Sequence, residues 1–398
     1  MIDMRANVAV IGGGPSGLIF SRKLAKEGID VTLLEEHSRV GFPNHCAGLV
    51  SINCMRKLVG LSLKGEYVLN KVRGAKIYSP SGKIELVIER SIPQAVVLDR
   101  ELMDRTLYEV ALAEGVKILL NTKANEIFLR KNIHIIKLNN VILKCQVLVN
   151  AEGAKFKFAR SFSAIPPAMF REVLPAVQVE VKGISDLDVD YVEVYLGRVW
   201  APNFFVWIIP IDEERARIGL ASSERAPLKL LRKFLRCHPR VKSRLVRAKE
   251  EKIFGGLVYI GGPLRKTFST RALLIGDAGG FTKPTTGGGI FTGAISSNIA
   301  ARVVKLAYDS SDFSNRVFSL YERLWKKALK RELMLMKYFR KIFWGLSDLT
   351  LENLMGLIEE LNMSSFLEDY SDLDYQLSGI SIKNVIQGLF TIARDILT

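Results

Sequence analysis

Val8-Ala-Val-Ile-Gly-Gly-Gly-Pro-Ser-Gly17 lies near the start of the chain, and its reading decides the fold. The four apolar residues predict a short buried strand. Gly12, Gly14 and Gly17 then take the spacing Gly-x-Gly-x-x-Gly, with Pro15 and Ser16 between the last two. Leu18-Ile-Phe-Ser-Arg-Lys-Leu-Ala-Lys26 follows as a helix, stopped by Gly28. Asp30-Val-Thr-Leu-Leu34 predicts a second strand, with Glu35 at its end. Strand, glycine turn, helix, strand and acid make up the dinucleotide-binding unit. Gly12 supplies the tight turn, Gly14 lets backbone approach a pyrophosphate, and Gly17 lets helix and strand pack closely. Glu35 can accept from a ribose hydroxyl. A glycine-rich turn without a ligand would explain neither the triple glycine nor Glu35.

The chain has 398 residues, enough for two or three domains. It is 48% hydrophobic and 25% charged, which excludes a disordered tail or a collagen-like rod. Lys and Arg number 57 against 41 acids, a net charge of +16. So basic a chain points to an anionic partner. Cys46, Cys54, Cys145 and Cys237 include no Cys-x-x-Cys pair, so neither a disulfide scaffold nor a metal site is expected. No signal peptide precedes the first strand, and no apolar run reaches about 18 residues. The expectation is a cytoplasmic protein whose membrane contact, if any, is peripheral.

A second motif narrows the dinucleotide. Arg271-Ala-Leu-Leu-Ile-Gly-Asp277 predicts a strand ending in Gly276-Asp277, and Thr285-Thr-Gly-Gly-Gly-Ile290 opens a small-residue helix. Here the chain resembles the FAD-binding fold of para-hydroxybenzoate hydroxylase and its relatives. The resemblance implies that Asp277 binds the ribityl chain and that Gly288, Gly289 and Ile290 lie near the isoalloxazine. A helix N-terminus there suits the anionic face of a reduced flavin. It also implies a flavin contact from Arg100, at the start of the helix opened by Leu98-Asp-Arg-Glu-Leu-Met-Asp104. Asn150-Ala-Glu-Gly153 resembles the family's Asp-Gly motif, with Glu152 in place of the aspartate and Lys155 and Lys157 beside it. That departure speaks against direct nicotinamide binding. There is no second strand–glycine–helix unit for a separate NADPH domain.

The segment Gly41-Phe-Pro-Asn-His-Cys-Ala-Gly48 is similar to the geranylgeranyl reductase family, in which a Gly-x-Pro-x-x-Cys run brings a cysteine to the flavin. Cys46 matches it, and a small buried hydrophobe is the other reading of that thiol. Phe205-Val-Trp-Ile-Ile-Pro210 resembles the same family's Tyr-x-Trp-x-Phe-Pro motif in its Trp and Pro only. In a strand Phe205, Trp207 and Ile209 share one face and can line an apolar slot. Ordinary sheet core is the alternative there. The resemblance implies FAD contacts from Gly12, Gly14, Pro15, Ser16, Gly17, Glu35, Glu36, Cys46, Ala47, Gly48, Arg100, Ala124, Gly276, Asp277, Gly288, Gly289 and Ile290. It implies a role for Cys46 in catalysis and no metal.

The expected architecture is α/β, α+β overall. A Rossmann-like FAD-binding domain (1–60, 90–160 and 265–310) carries an inserted β-rich substrate domain (61–89 and 161–264). A C-terminal helical region (311–398) follows. The implied function is an FAD-dependent reductase of geranylgeranyl C=C bonds in a membrane lipid or prenyl diphosphate. Its partners would be the isoprenoid lipid, an external electron donor (NAD(P)H, ferredoxin or another) and an anionic membrane surface. Proton donors open to it are Cys46, His45 or water. A flavin monooxygenase or halogenase is the alternative enzyme, and a non-catalytic flavoprotein docking RNA or a redox partner is the third reading. Residues 227–252 carry ten Lys/Arg and residues 315–345 carry nine, the latter interleaved with Phe318, Leu324, Trp325, Phe339, Phe343 and Trp344. Such basic amphipathic segments suit an anionic bilayer, or else a packed helix with a solvated basic face.

Overall fold

The computed structural model describes residues 2–162, 167–361 and 373–375. Three sheets carry the fold. The first runs Phe268–Ser269, Ala272–Leu274, Val141–Asn150, Ile2–Ile11, Val31–Leu34, Lys117–Leu119 from edge to edge, with Glu126–Arg130 and Ile133–Lys137 paired beside Val141–Asn150. Its central strands are parallel and fully apolar at 8–10, 147–149 and 272–274, because helices or loops cover both faces. Ile11 is in register with both Leu34 and Asn150. The carboxyl ends of three strands therefore reach one crevice together, which is where an open α/β sheet takes its ligand.

Helix Pro15–Lys26 packs between the helices Ile290–Asp309 and Arg100–Ala113. The close approach to Ile290–Asp309 is possible because that helix buries Gly293, Ala294, Ser297, Ala300 and Ala301.

The second sheet has seven strands, in the order Lys249–Tyr259, Val173–Lys182, Arg215–Ala221, Val206–Pro210, Tyr191–Tyr195, Gly74–Tyr78, Glu85–Glu89. A small third sheet (Leu49–Ser51, Ala95–Leu98, Val68–Val72) lies between. It takes Val68–Val72 away from the second sheet, although that strand lies within the 61–89 stretch assigned to the substrate domain from sequence.

Helix Pro227–Cys237 settles one half of the charge question. Leu231, Phe234 and Leu235 are buried among Val179, Val206, Ile218 and Leu220 of the second sheet. Its apolar face is spent on the core, so the reading as a packed helix with a solvated basic side holds for this segment. His238 closes that core. Its ring is 0% exposed, packs against Tyr195, Trp200 and Phe234, and finds no partner for either nitrogen among the described residues. Burial first, then the Arg240 charge, pushes it down to about 4. A depressed histidine favours the neutral form in the fold. The stability it contributes is therefore complete above about pH 6.5, is lost as pH falls towards 4, and amounts to about 3 kcal/mol. His238→Phe should flatten that acid limb in urea denaturation between pH 7.5 and 4. An unchanged difference between the two pH values would contradict the assignment.

Helices Asn315–Trp325, Arg331–Phe343 and Asp348–Glu360 follow the helix Ile290–Asp309. The remainder of the expected C-terminal helical region, 362–372 and 376–398, lies outside the described residues. Among the described residues no helix is long and apolar enough to cross a membrane, and no group of side chains is arranged to hold a metal ion.

Candidate active site

The glycine turn at the first strand's end has three different environments. Gly12 has φ +103°, and a Cβ there would stand 2.3 Å from the Ala151 carbonyl oxygen. A Cβ on Gly17 would meet the Gly12 carbonyl oxygen at 2.0 Å. Both glycines are required by the fold's own packing. Gly14 is the exception: nothing lies within 4 Å of its Cβ position. It precedes Pro15, at the N-terminus of a helix whose first turn carries no acid. An open concavity at a helix N-terminus can hold a pyrophosphate.

Glu35 is buried, and its two oxygens are already engaged. Oε2 accepts from Gly13 N–H at 2.7 Å; Oε1 accepts from His37 N–H at 2.9 Å and lies 2.6 Å from its Nδ1. A carboxylate has about four acceptor sites, so a ribose hydroxyl can still be accommodated. Glu36 pairs with Lys155 at 2.6 Å and Lys123 at 3.5 Å. Ala124 is buried, and its carbonyl accepts from Lys157. Glu152 accepts from the backbone of Phe158 and Ala159 and from the Asn150 amide. Glu152 is thus spent on this loop's own backbone, and the two lysines tie the loop to Glu36 and Ala124.

Asp277 is different. It follows Gly276 (φ +57°), whose Cβ would strike Ser16 Oγ at 2.4 Å. Its carboxylate makes no side-chain hydrogen bond or ion pair among the described residues. Burial pushes it up to about 6, and the Arg100 charge pulls it back. The position predicted for a Gly289 Cβ lies 2.6 Å from Asp277 Oδ1, so the glycine-rich helix start sits directly over the acid. Ile290 is the first residue of that helix, and Gly288 accepts from Lys283 N–H. A helix-capping role is not what the geometry shows, since the short 276–279 turn has no side-chain cap.

Arg100 is 7% exposed and doubly bonded to Asp104, at 3.0 and 3.1 Å. Its guanidinium also lies near enough to Cys46 to interact with it electrostatically. Cys46 Sγ accepts from Gly48 N–H at 3.4 Å, and its carbonyl accepts from Gln178 Nε2 at 3.0 Å. Gly48 has φ +83° and no room for a side chain between Leu98 and Arg217. Arg217 reaches across from the second sheet. It pairs with Glu180 at 2.9 Å and donates to the carbonyls of Ala47 and Leu98. His45 Nδ1 lies against the Gly255 carbonyl.

Phe205, Trp207 and Ile209 do share a face, with Val206 and Ile208 pointing to the opposite core. They are not equivalent. Ile209 is 3% exposed inside a cluster with Val72, Val97 and Val192, so it is core. Trp207 is half-buried, and its Nε1 has no partner among the described residues. Phe205 meets Trp207 at 6.2 Å and Trp344 at 6.3 Å.

Several contributors carry no sequence signal of their own. Asp104 clamps Arg100. Arg217 and Gln178 tie the second sheet to the Cys46 loop. Lys283 is buried at 5%, lies over the Phe291 ring, pairs with Asp374 at 3.5 Å and donates to the Leu373 carbonyl. Only Lys283, inside Thr282-Lys-Pro-Thr-Thr286, sits next to a recognisable motif.

The model of the lycopene cyclase protein family matches residues 7–367. Digeranylgeranylglycerophospholipid reductase 2 of Methanothermobacter thermautotrophicus is 30% identical, over 99% of this chain and 100% of its own. Digeranylgeranylglycerophospholipid reductase of Methanothrix thermoacetophila is also 30% identical, over 91% and 93%. Among solved structures, a geranylgeranyl bacteriochlorophyll reductase-like protein from Thermoplasma acidophilum superposes with TM-score 0.83 at 26% identity, covering 97% of this chain and 96% of its own. A flavin-dependent brominase superposes with TM-score 0.72 at 17% identity, over 98% and 100%, a likeness of fold alone.

Proposed function

The chain belongs to the geranylgeranyl reductase family, and from that premise we propose that it is an FAD-dependent reductase saturating C=C bonds of geranylgeranyl chains in a membrane lipid or its prenyl diphosphate precursor. The observation that carries the reading is the open Gly14 turn on the same crevice as Asp277, whose carboxylate has no side-chain partner among the described residues, with Arg100 and Cys46 nearby. The residues fit the cofactor: a cradle for pyrophosphate, an acceptor for a ribityl hydroxyl, and a glycine-rich helix start for the ring. When bound and reduced by an external two-electron donor, FAD would supply hydride to one alkene carbon and return to its oxidised form.

The protein's share is placement, dryness and a proton. An isolated alkene accepts hydride poorly, so a proton must reach the second carbon in concert. Cys46 is our candidate to hold it, with Gly48 N–H donating to Sγ and the Arg100 charge nearby. Phe205 and Trp207 would hold the isoprenoid by apolar contact, while Ile209 supports them from the core. Electrons would come from an external donor, since Glu152 is engaged within its own loop, Lys155 with Glu36 and Lys157 with the Ala124 carbonyl. An anionic bilayer is the proposed surface on which the lipid is met.

Asp277→Asn separates the ribityl role from a structural one. Flavin affinity should fall by about 1–3 kcal/mol, the worth of a hydrogen bond to a charged acceptor. Flavin-free protein should instead become more stable at pH 7. A carboxyl raised to about 6 opposes folding once it ionises, so the penalty grows as pH rises from about 4 and is complete above 6. Flavin titration and thermal melts read both. Unchanged affinity in a stable variant would remove Asp277 from the site.

The function itself is tested by anaerobic incubation of dithionite-reduced protein with geranylgeranyl lipid, followed by mass analysis. Saturated product without O₂ or halide supports the reductase. Hydroxylated or halogenated product formed only with O₂ would refute it.

A further inference from the structure

The helix Arg331–Phe343 has an outer side that the core does not use. Leu333 and Met336 are buried, whereas Met334 is 42%, Tyr338 62% and Ile342 69% exposed. Those three recur every fourth residue, so they form one stripe opposite the buried pair. Phe339 flanks the stripe at 45% exposure, and Leu349 of the next helix is 71% exposed. Lys327, Lys330, Arg331 and Lys341 are exposed around it, whereas Lys337 turns its Nζ to the Gly261 carbonyl. The aliphatic stems of such lysines lie along apolar surface while the ammonium groups reach outward, the arrangement of a helix lying in a bilayer interface.

The patch is not isolated from the active site. Phe339 stacks on Phe343 at 5.4 Å, Phe343 meets Trp344 at 5.3 Å, Trp344 stacks on Phe205 at 6.3 Å, and Phe205 meets Trp207 at 6.2 Å. Five aromatic rings thus run from an exposed surface to the tryptophan of the proposed isoprenoid slot. Phe205 and Trp344 bridge the second sheet and the C-terminal helices.

We propose that the face carrying Met334, Tyr338, Phe339 and Ile342 docks on an anionic bilayer and is the portal through which a membrane-embedded isoprenoid chain passes, along Phe343, Trp344 and Phe205, to Trp207. The occupant is a lipid surface, because a cationic rim around an apolar centre complements anionic headgroups over hydrocarbon. The inference rests on the reductase reading for its second half, and its test has one arm that needs no turnover.

The experiment uses flavin-loaded full-length protein, vesicles containing anionic lipid with and without geranylgeranylated lipid, and water-soluble geranylgeranyl diphosphate. The variant is Tyr338→Glu with Ile342→Glu, whose side chains are exposed. Flotation with vesicles should fall more than about tenfold, the equivalent of losing two buried apolar groups. kcat/KM for vesicle-embedded lipid should fall at least about tenfold, and kcat/KM for the soluble diphosphate should change less than about twofold. Tyr338→Trp with Ile342→Leu should restore both vesicle readouts. Wild-type flotation should weaken steeply with salt.

Equal losses on both substrates would make the patch a structural element and overturn the portal. So would flotation unaffected by the glutamates, or a wild-type dimer that the variant converts to monomer, since the face would then join two copies. A wild type that reduces neither substrate would overturn the reductase reading and the portal with it.

Discussion

Gly14→Val is expected to give folded, colourless protein. The effect is large because the side chain would stand where the pyrophosphate must lie, and no rearrangement of the ligand can avoid it. It is also specific. Gly14 has φ −71° and ψ 175°, which any residue adopts, and no protein atom lies within 4 Å of the new Cβ. Far-ultraviolet circular dichroism should be retained while bound flavin falls below about one hundredth of wild type, the consequence of a loss of roughly 3 kcal/mol or more. Gly17→Val is the control with the opposite outcome. Its Cβ would stand 2.0 Å from a backbone oxygen, so the protein itself should fail to fold. Stoichiometric flavin in purified Gly14→Val would overturn the dinucleotide site.

The second large effect separates holding the chain from delivering the proton. Trp207→Ala removes a half-buried ring with few polar obligations, because its Nε1 has no partner to abandon among the described residues. Flavin content should stay normal. KM should rise about tenfold or more, and kcat should fall where the alkene is no longer aligned. Cys46→Ala should do the reverse, lowering kcat by about 10²–10⁴-fold, the range for a positioned proton donor, with KM little changed. Cys46→Ser keeps the size and a hydroxyl proton, so its kcat should lie between. Steady-state kinetics with quantified flavin reads all three. Wild-type turnover in both cysteine variants would reduce Cys46 to packing and move the proton to water or His45.

The parts of this molecule legible in its sequence are those where one local geometry dictates residue type. Gly12 and Gly17 have no alternative, because any side chain would enter a neighbouring backbone. Asp277 is singled out by resemblance rather than by such packing, and it lies in the short Gly276–Gly279 turn that follows the buried strand Ala272–Leu274. The strand alternation at 205–209 was legible too, but not its depth. Ile209 proves to be core because Val68–Val72 and Ala95–Leu98 form a separate small sheet under it, and no periodicity announces which sheet a strand joins. Asp104, Gln178 and Arg217 were not legible. Their importance lies in contacts with Arg100, Cys46 and Ala47, separated by up to 170 positions along the chain. The basic segments 227–252 and 315–345 looked alike in sequence. Packing distinguishes them: the first spends its apolar face on the second sheet, and the second spends Phe318 and Trp325 on the core while leaving Tyr338 and Ile342 outside.

Whether this flavin site gives its electrons to an isoprenoid double bond is read by a single-turnover experiment. Flavin-loaded protein is reduced with dithionite, freed of excess reductant, and mixed without oxygen with geranylgeranyl diphosphate or geranylgeranylated lipid. The absorbance of oxidised flavin should return, with one double bond lost from the isoprenoid for each flavin reoxidised. Trp207→Ala should slow this return, and Gly14→Val should have no flavin to show it. Flavin that stays reduced with every isoprenoid offered, yet reoxidises at once when O₂ is admitted, would contradict the reductase reading.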